Sequence, residues 1–294
     1  MGRAPLAGRR APDRRERARS IGLSDILAGQ PSGEELLAAI YDLEHDEITE
    51  DLAFYRRWTR RQAGAVLDLG CGSGRLFRSF LEGGATRVVG VDGSPSLVSR
   101  AEARIEADEL LRAARGEGRL EVAVGDVRDV TRRDRFALVV LAGVVSHLDG
   151  PEDAARTLSH AAAVLAPHGV LVVDLLGPGG LPPHDLPLSV DWERTWDDRR
   201  VIRRSRLTRH EAPEGLRVDY ATLTDLVEAD GTIARLPASF RLWYPSPSAI
   251  VALAGEAGLE VEAAFGSHDL EPLDERSERC IMAVRRVADE PGAG

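Results

Sequence analysis

Between residues 64 and 176 the sequence alternates short apolar runs with longer segments whose apolar residues recur at helical spacing. The runs of strand length are AGAVLDLG (63–70), RVVGVD (87–92), LEVAVGD (120–126), FALVVLA (136–142) and GVLVVDLL (169–176). Helices are predicted between them, over 75–82, from Pro95 to about residue 114, and from Pro151 to about residue 165. Strands that are apolar throughout are buried on both faces. The alternation therefore predicts a parallel sheet with helices on both sides, a doubly wound α/β fold.

After Gly177 the pattern changes to strands in which arginines alternate with apolar residues. These strands are predicted over 190–196, 200–210, 216–227 and 233–244, and the turns between them contain Asp197-Asp198, Pro213-Glu214-Gly215 and Asp230-Gly231. The alternation predicts an antiparallel β-ribbon with one solvent-exposed face. A helix over 248–257 and strands over 259–265 and 280–287 then resume the first pattern. The ribbon is thus predicted to be an insertion in the α/β domain.

Composition and charge narrow the function classes. The chain is 43% hydrophobic and 29% charged, which is typical of a globular protein. Its net charge is −10 although residues 1–20 carry seven arginines and two acidic residues, and an acidic body disfavours nucleic acid as a partner. No apolar run approaches the roughly 20 residues of a membrane span, and we expect neither a secretory signal nor a membrane contact. The only two cysteines, Cys71 and Cys280, lack the spacing of metal ligands, so no metal site is predicted. So few cysteines are also typical of a protein in a reducing compartment, and a cytoplasmic location is predicted.

The loop after the first strand, within AVLDLGCGSGRL (65–76), resembles nucleotide-binding loops. A dinucleotide loop requires G-x-G-x-x-G, whereas counting from Gly70 the sixth position is Arg75. Asp68 ends the strand two residues before Gly70, where a carboxylate would repel a pyrophosphate. A ligand with positive charge and no phosphate removes this conflict. S-adenosylmethionine has these properties because it carries an ammonium and a sulfonium.

Two more acidic residues follow the neighbouring strands. Asp92 ends the second strand, where its two oxygens can accept both hydroxyls of a ribose. Asp126 ends the third, where it can accept the exocyclic amine of adenine while the backbone of Val127 meets the ring. Because open α/β sheets bind ligands at the carboxyl ends of their strands, these positions predict an adenosyl site at that edge.

The motifs VLDLGCGSGR, VVGVDGS, GDVRD and FALVVLAGVVSHL resemble those of class I S-adenosylmethionine-dependent methyltransferases. The resemblance covers 36–176 and, more loosely, 259–287, and it implies a Rossmann-like seven-stranded sheet with an antiparallel last strand and an S-adenosyl-L-homocysteine product. It implies cofactor contacts at Tyr41, Tyr55, Asp68, Gly70, Cys71, Gly72, Gly74, Asp92, Gly93, Ser94, Asp126, Val127 and Leu141. Cys71 is expected to be a small neighbour of the cofactor and not a nucleophile.

The upstream segment AIYDLEHDEITEDLAFYRRW (39–58) resembles the lid of a subset of these enzymes. YDLxH, the later SHL and a ribbon after the fifth strand together resemble amino-sugar N,N-dimethyltransferases. Similar architecture occurs in α-N-methyltransferases of ribosomal peptides such as linaridins and daptides. The implied organisation begins with an arginine-rich arm over 1–33, which we expect to be disordered. A cofactor domain follows over 34–176 and 248–287, with lid helices at 34–62. The ribbon over 177–247 is expected to bind substrate or to dimerise, and residues 288–294 are expected to form a flexible tail.

His147 follows the fourth strand, where substrate meets the methyl group in the family that the chain resembles. An imidazole can accept a proton near neutral pH, so His147 is a candidate general base. The alternatives are that it caps the helix that begins at Pro151 or that it contacts only the cofactor. Further substrate candidates are His45, Trp192, Trp196, Trp243 and Tyr244, although core packing or a dimer interface explains the aromatic residues equally well. Arg203, Arg204 and Arg206 could bind a phosphate or carboxylate, but the exposed face of the ribbon is the favoured interpretation.

These features predict a methyltransferase that N-methylates, and could dimethylate, a primary amine of a small molecule or natural-product peptide. O- or C-methylation of a small metabolite needs the same cofactor site and is the alternative. A catalytically silent scaffold or sensor that binds the cofactor is the non-enzymatic alternative. A homodimer is expected by analogy alone.

Overall fold

A computed structural model of the chain describes residues 33–130 and 132–287, so the predicted arm before residue 33 and the tail over 288–294 lie outside the described residues. Its helices are α1 (Gly33–His45), α2 (Leu52–Gln62), α3 (Phe77–Glu82), α4 (Pro95–Ala107), α5 (Glu109–Gly116), α6 (Pro151–Val164) and α7 (Pro247–Glu256). Its strands are β1 (Val66–Leu69), β2 (Val88–Asp92), β3 (Leu120–Val124), β4 (Phe136–Ala142), β5 (Leu165–Leu176), β6 (Leu186–Trp196), β7 (Arg199–Ala212), β8 (Gly215–Val227), β9 (Ile233–Pro245), β10 (Leu259–Phe265) and β11 (Arg279–Arg286).

Seven strands form the main sheet in the order β10-β11-β5-β4-β1-β2-β3. Strands β1 to β5 pair in parallel, whereas β11 lies antiparallel between β5 and β10. The remaining strands form a four-stranded antiparallel sheet in the order β6-β7-β8-β9. The predicted fold class, a doubly wound seven-stranded sheet with a β-ribbon inserted after the fifth strand, is confirmed.

The main sheet is buried on both faces, as its apolar strands require. All four residues of β1 are buried, and Val66 belongs to one hydrophobic layer while Leu67 and Leu69 belong to the other. Successive side chains of a strand point to opposite faces, so one short strand joins both layers. This packing fixes the carboxyl end of β1, where the glycine loop begins. Among the described helices, none is long and apolar enough to cross a membrane.

Three predicted boundaries are wrong. The single helix expected from Pro95 to about residue 114 is two helices, because the Asp108 carboxylate accepts the backbone N–H groups of Leu110 and Leu111 at 2.9 and 3.2 Å and starts a new helix. Strand β5 begins at Leu165, which pairs with Phe136 before an irregularity in register. Strand β6 begins at Leu186 and not at residue 190, and it contains two such irregularities in register. The turn-rich sequence before residue 190 did not indicate this earlier start.

Asp174, near the end of β5, is a buried polar centre of the fold. Its side chain is 2% exposed and accepts hydrogen bonds from the Tyr55 hydroxyl at 2.6 Å, from His268 Nε2 at 2.8 Å and from the Arg279 guanidinium. Burial raises the pKa of this carboxyl, but the donors from His268, Arg279 and Tyr55 outweigh it and hold the pKa below 3.8. The carboxylate thus joins α2, β5 and the segment before β11.

We expect Asp174→Asn to lower the free energy of unfolding by about 3–5 kcal/mol, because the Arg279 cation would remain without its anion. Urea denaturation followed by circular dichroism measures this change. Glu260→Gln is the matched control, since Glu260 and Arg285 form a half-exposed pair between β10 and β11. Equal midpoints for the two variants would contradict the assignment of Asp174 as a structural centre.

Candidate functional site

The glycine loop after β1 has a conformation that only glycine adopts easily. Gly70 and Gly72 have φ angles of +74° and +56°, and a Cβ at Gly70 would lie 2.2 Å from the Val144 side chain. The N–H groups of Gly70 and Cys71 both donate to the carbonyl of Val91, at 2.7 and 3.1 Å. The loop is therefore anchored to the end of β2, and its backbone lies close to the segment that follows β4.

Asp68 is a buried carboxylate below this loop. The residue is 1% exposed, and its Oδ2 has no hydrogen-bond partner among the described residues. Burial raises the pKa of Asp68 to about 7, with Arg75 opposing the shift and Asp92 adding to it. An unpaired buried carboxylate is costly, and a cation placed beside it would offset that cost. Asp68 thus fits an ammonium-bearing ligand.

Asp92 organises the loop through both carboxylate oxygens. Oδ2 accepts the N–H of Gly72 and Oδ1 accepts that of Ser94, each at 2.8 Å. Ser94 begins α4, and its hydroxyl accepts the N–H of Leu97 at 3.3 Å. Each Asp92 oxygen keeps a further lone pair, so the residue can still accept ribose hydroxyls. Gly93 is exposed beside it.

Asp126 makes contacts that the sequence did not predict. Its exposed carboxylate accepts hydrogen bonds from the side chain of Arg128, and its Oδ1 accepts the backbone N–H of Arg128 at 2.9 Å. Hydrogen bonds from the Arg128 side chain and backbone lower the pKa of Asp126 to about 2. A contact between Asp126 and adenine stays a prediction, and it would have to share the carboxylate with Arg128. Val127 starts the half-buried turn that follows.

Tyr41 places the lid helix α1 over the glycine loop. A Cβ at Gly72 would lie 2.9 Å from the Tyr41 hydroxyl, and the Tyr41 ring stacks on His45 with centroids 4.0 Å apart. Burial raises the pKa of Tyr41 to about 12, so the hydroxyl stays protonated. His45 Nδ1 lies 2.8 Å from the Tyr41 carbonyl, which can only accept, so Nδ1 carries the proton. Burial also lowers the pKa of His45 below 6.5, which keeps the ring neutral at neutral pH.

His147 ends a single turn of 3₁₀ helix (Val145–His147) after β4. Desolvation lowers the pKa of His147 below 6.5; Asp92 opposes this shift and His45 adds to it. The His147 ring meets Phe240 of β9 edge-on, with centroids 6.4 Å apart. The segment that carries His147 begins beside the glycine loop, since a Cβ at Gly70 would lie 2.2 Å from the Val144 side chain. The structure thus places His147 between the ribbon and the segment that approaches the glycine loop.

Four predicted site residues lie in the protein interior. Tyr55 is fully buried and bonded to Asp174, so its side chain has a structural partner. Leu141 and Trp243 are 0% and 1% exposed in the core, and core packing therefore accounts for Trp243. Cys71 is 8% exposed, and burial raises the pKa of its thiol, which disfavours a thiolate. Gly74 lies in the loop, where a Cβ would lie 2.6 Å from the Phe77 ring.

The ribbon approaches the lid through Trp192 and Arg203, which the sequence analysis selected, and through their shared partner Glu44, which it did not select. Trp192 Nε1 donates to Glu44 Oε1 at 3.2 Å, and the Arg203 guanidinium pairs with the same carboxylate. Arg203 is only 11% exposed and donates to the Tyr220 hydroxyl at 3.1 Å, so the prediction that it lies on a solvent-exposed face is wrong. The residues missed in this region are Glu44, Tyr220 and Phe240, which alternation alone could not assign to the cleft.

The other ribbon candidates are distributed over both faces. Arg206 is exposed, as predicted for a solvated face, whereas Arg204 pairs with the buried Asp225 at 2.6 Å. Trp196 is half-buried, with the Arg199 guanidinium 5.8 Å from its ring centroid. Tyr244 is half-buried, and burial raises its pKa. The part of the chain that the structure describes contains no group of three or more potential metal ligands.

Comparison with known proteins assigns the fold. Residues 66–169 match the family model described as a methyltransferase domain. The sugar N-methyltransferase KedS8 of a Streptoalloteichus species has a similar structure, with a TM-score of 0.63 and 21% identity over 98% of both chains. So does the S-adenosylmethionine-bound amino pentose methyltransferase CalS10 of Micromonospora echinaspora, with a TM-score of 0.58, 21% identity, and coverage of 90% of this chain and 95% of that one.

A sequence relative is the tRNA U34 carboxymethyltransferase of Shewanella frigidimarina, which is 35% identical over 88 residues. The match spans 30% of this chain and only 25% of that protein. Together these findings show a fold of the methyltransferase type, with the match to the methyltransferase-domain model confined to residues 66–169. The unpaired Asp68 oxygen and the close approach of Tyr41 to Gly72 fit S-adenosylmethionine, whose ammonium and adenosyl ribose would be held by Asp68 and Asp92.

We expect Gly72→Ala to weaken the binding of S-adenosylhomocysteine by about tenfold or more, because the new methyl group would displace Tyr41. Isothermal titration calorimetry measures the affinity. Gly84→Ala is the control: Gly84 also has a positive φ, of +89°, but no atom lies within 4 Å of its Cβ position. Unchanged binding by Gly72→Ala would contradict the placement of the ligand under Tyr41.

The affinity for S-adenosylhomocysteine should fall about tenfold between pH 8 and pH 6. The carboxylate of Asp68 pairs with the ammonium only when ionised, and with a pKa of about 7 it is mostly protonated at pH 6 in the free protein. Calorimetry across this range measures the slope. Asp68→Asn should bind weakly with no such slope, and a flat profile for the unaltered protein would show that Asp68 does not hold the ammonium.

Proposed function

We propose that this protein transfers a methyl group from S-adenosylmethionine to a primary amine of a small molecule or natural-product peptide. The observation that supports N-methylation is the environment of His147, an imidazole packed against Phe240 of the ribbon, whose pKa desolvation lowers although Asp92 opposes the shift. Such a group is unprotonated at neutral pH and can accept a proton from an attacking amine. The similarity to a sugar N-methyltransferase agrees with this choice of acceptor.

The residues of the cleft support a direct displacement. The bound cofactor supplies an electrophilic methyl group. The lone pair of the amine nitrogen forms a bond to the methyl carbon while the carbon–sulfur bond breaks and leaves its electron pair on sulfur. His147 receives the proton that the nitrogen releases and passes it to solvent. Tyr41 and the glycine loop position the reactants, and such positioning can be equivalent to effective concentrations of about 10⁵–10⁸ M.

Assays with methyl-labelled S-adenosylmethionine and panels of primary amines, short peptides and hydroxyl compounds test the proposal. Label in amines, and a second addition to the monomethyl product, is the expected result. Label in hydroxyl or carbon acceptors with no label in amines would favour O- or C-methylation instead. Cofactor binding with no transfer to any acceptor class would favour a silent scaffold or sensor.

His147→Gln should lower kcat by about a hundredfold, within the range typical of a general base. With both substrates saturating, the unaltered protein should lose activity on the acidic side only below pH 6.5, where the imidazole becomes protonated. The His147→Gln variant should not show this loss of activity on the acidic side of the pH profile. His210→Gln, on the exposed part of the ribbon, is the control. Full turnover by His147→Gln would remove His147 from the mechanism.

A further inference from the structure

Arg104 of α4 connects the glycine loop with the lid helix. Its Nε donates to the carbonyl of Ser73 at 2.9 Å, and its Nη2 lies 3.3 Å from the Ser73 hydroxyl. The same Nη2 donates to Asp46 at 2.6 Å and lies 3.5 Å from Asp42, both on or directly after α1. One guanidinium therefore contacts the cofactor loop on one side and the lid on the other.

The loop end of this connection is a constrained position. Ser73 is 1% exposed and lies between Gly72 and Gly74, both of which have positive φ angles. A charged donor that binds its carbonyl fixes the orientation of the peptide unit in the middle of the loop. Gly72, the residue before Ser73, is also the part of the loop that the Tyr41 hydroxyl of the lid approaches.

A second arginine connects the two segments in the opposite direction. Arg75, in the loop, donates to the carbonyl of Ile48 at 2.9 Å and to both oxygens of Asp51 at 2.8 and 2.5 Å, just after the lid helix. Both arginines thus hold the glycine loop to the C-terminal end of α1 and to the residues that directly follow it. Neither segment can move far without breaking a charged hydrogen bond of the other.

We propose that Arg104 is a positioning residue that couples the docked lid to the cofactor-binding conformation of the glycine loop. This inference rests on the cofactor named in the proposed function. Docking of α1 places Asp42 and Asp46 against Arg104, and the guanidinium in turn holds the Ser73 carbonyl. The loop therefore receives the cofactor in its final shape only when the lid is in place.

Arg100 provides a matched control on the same helix. It lies one turn before Arg104 and also pairs with Asp42. Within the described residues it has no hydrogen bond to the glycine loop. Arg100→Gln therefore removes a contact between α4 and the lid, whereas Arg104→Gln removes such contacts and the link to Ser73 as well.

Calorimetry with S-adenosylhomocysteine tests the coupling without any acceptor. We expect Arg104→Gln to weaken binding by about 10- to 100-fold, as for the loss of a charged hydrogen bond, and Arg100→Gln by less than about threefold. In assays, the KM for the cofactor should rise with Arg104→Gln while kcat at saturating cofactor changes little. Equal effects of the two variants, or unchanged binding by Arg104→Gln, would overturn the proposal.

Arg104→Lys keeps the charge beside Asp42 and Asp46 but cannot hold the loop and the lid with one planar fork. It should fold and bind the ligand with intermediate affinity, and binding equal to that of the unaltered protein would also overturn the coupling. Absence of binding by the unaltered protein would overturn the cofactor assignment itself. The two failures are therefore distinguishable.

Discussion

The site depends on a buried carboxylate, Asp68, one oxygen of which has no hydrogen-bond partner among the residues that the structure describes. Asp68 is placed at the end of a strand whose other residues are all apolar and buried, so it cannot turn toward solvent. Burial of its charge costs free energy and raises the pKa of Asp68 to about 7. Arg75 opposes this shift only in part, since its guanidinium is bonded to Asp51, and the ammonium of a bound ligand would offset the remaining cost.

Charge pairing also explains how the lid is held. The segment around the end of α1 is rich in acidic residues, and its partners come from separate elements: Arg75 from the loop, Arg100 and Arg104 from α4, and Arg194 and Arg203 from the ribbon. Three buried apolar residues of α1, Ala38, Ala39 and Ile40, add to this attachment. The carboxylates of Asp42 and Asp51 are themselves largely buried, so apolar burial and charge pairing together hold the lid.

Periodicity was sufficient to predict the α/β sheet and the ribbon, because strands buried on both faces leave an unambiguous apolar signal. It was insufficient at Asp108, where a side-chain cap divides one amphipathic segment into two helices. The strand-end aspartates and glycines could be placed from the sequence because topology brings parallel strand ends to one edge. The environments of Tyr55 and Trp243 could not be predicted from the sequence, because an aromatic residue beside a cleft and one in the core have the same local sequence pattern.

The ribbon illustrates why side-chain partners are harder to predict than elements. Arg203, Arg204 and Arg206 lie close together on one alternating strand, yet the first meets Glu44 of the lid, the second meets a buried Asp225, and the third is exposed. Their environments depend on what lies above each face of the sheet. Alternation predicts that the faces differ but does not predict which face meets the cofactor domain.

The hydrogen bonds of the glycine loop give an independent reason why its ligand is not a dinucleotide. A pyrophosphate is held by free backbone N–H groups of the loop and by the start of the next helix. Here the N–H groups of Gly70, Cys71, Gly72 and Gly74 all donate within the loop or to β2. The next helix begins only at Phe77 and has six residues. Because these four amides are already bonded, the loop has fewer free donors for a phosphate, whereas the carboxylates of Asp68 and Asp92 remain able to accept from an ammonium and from ribose hydroxyls.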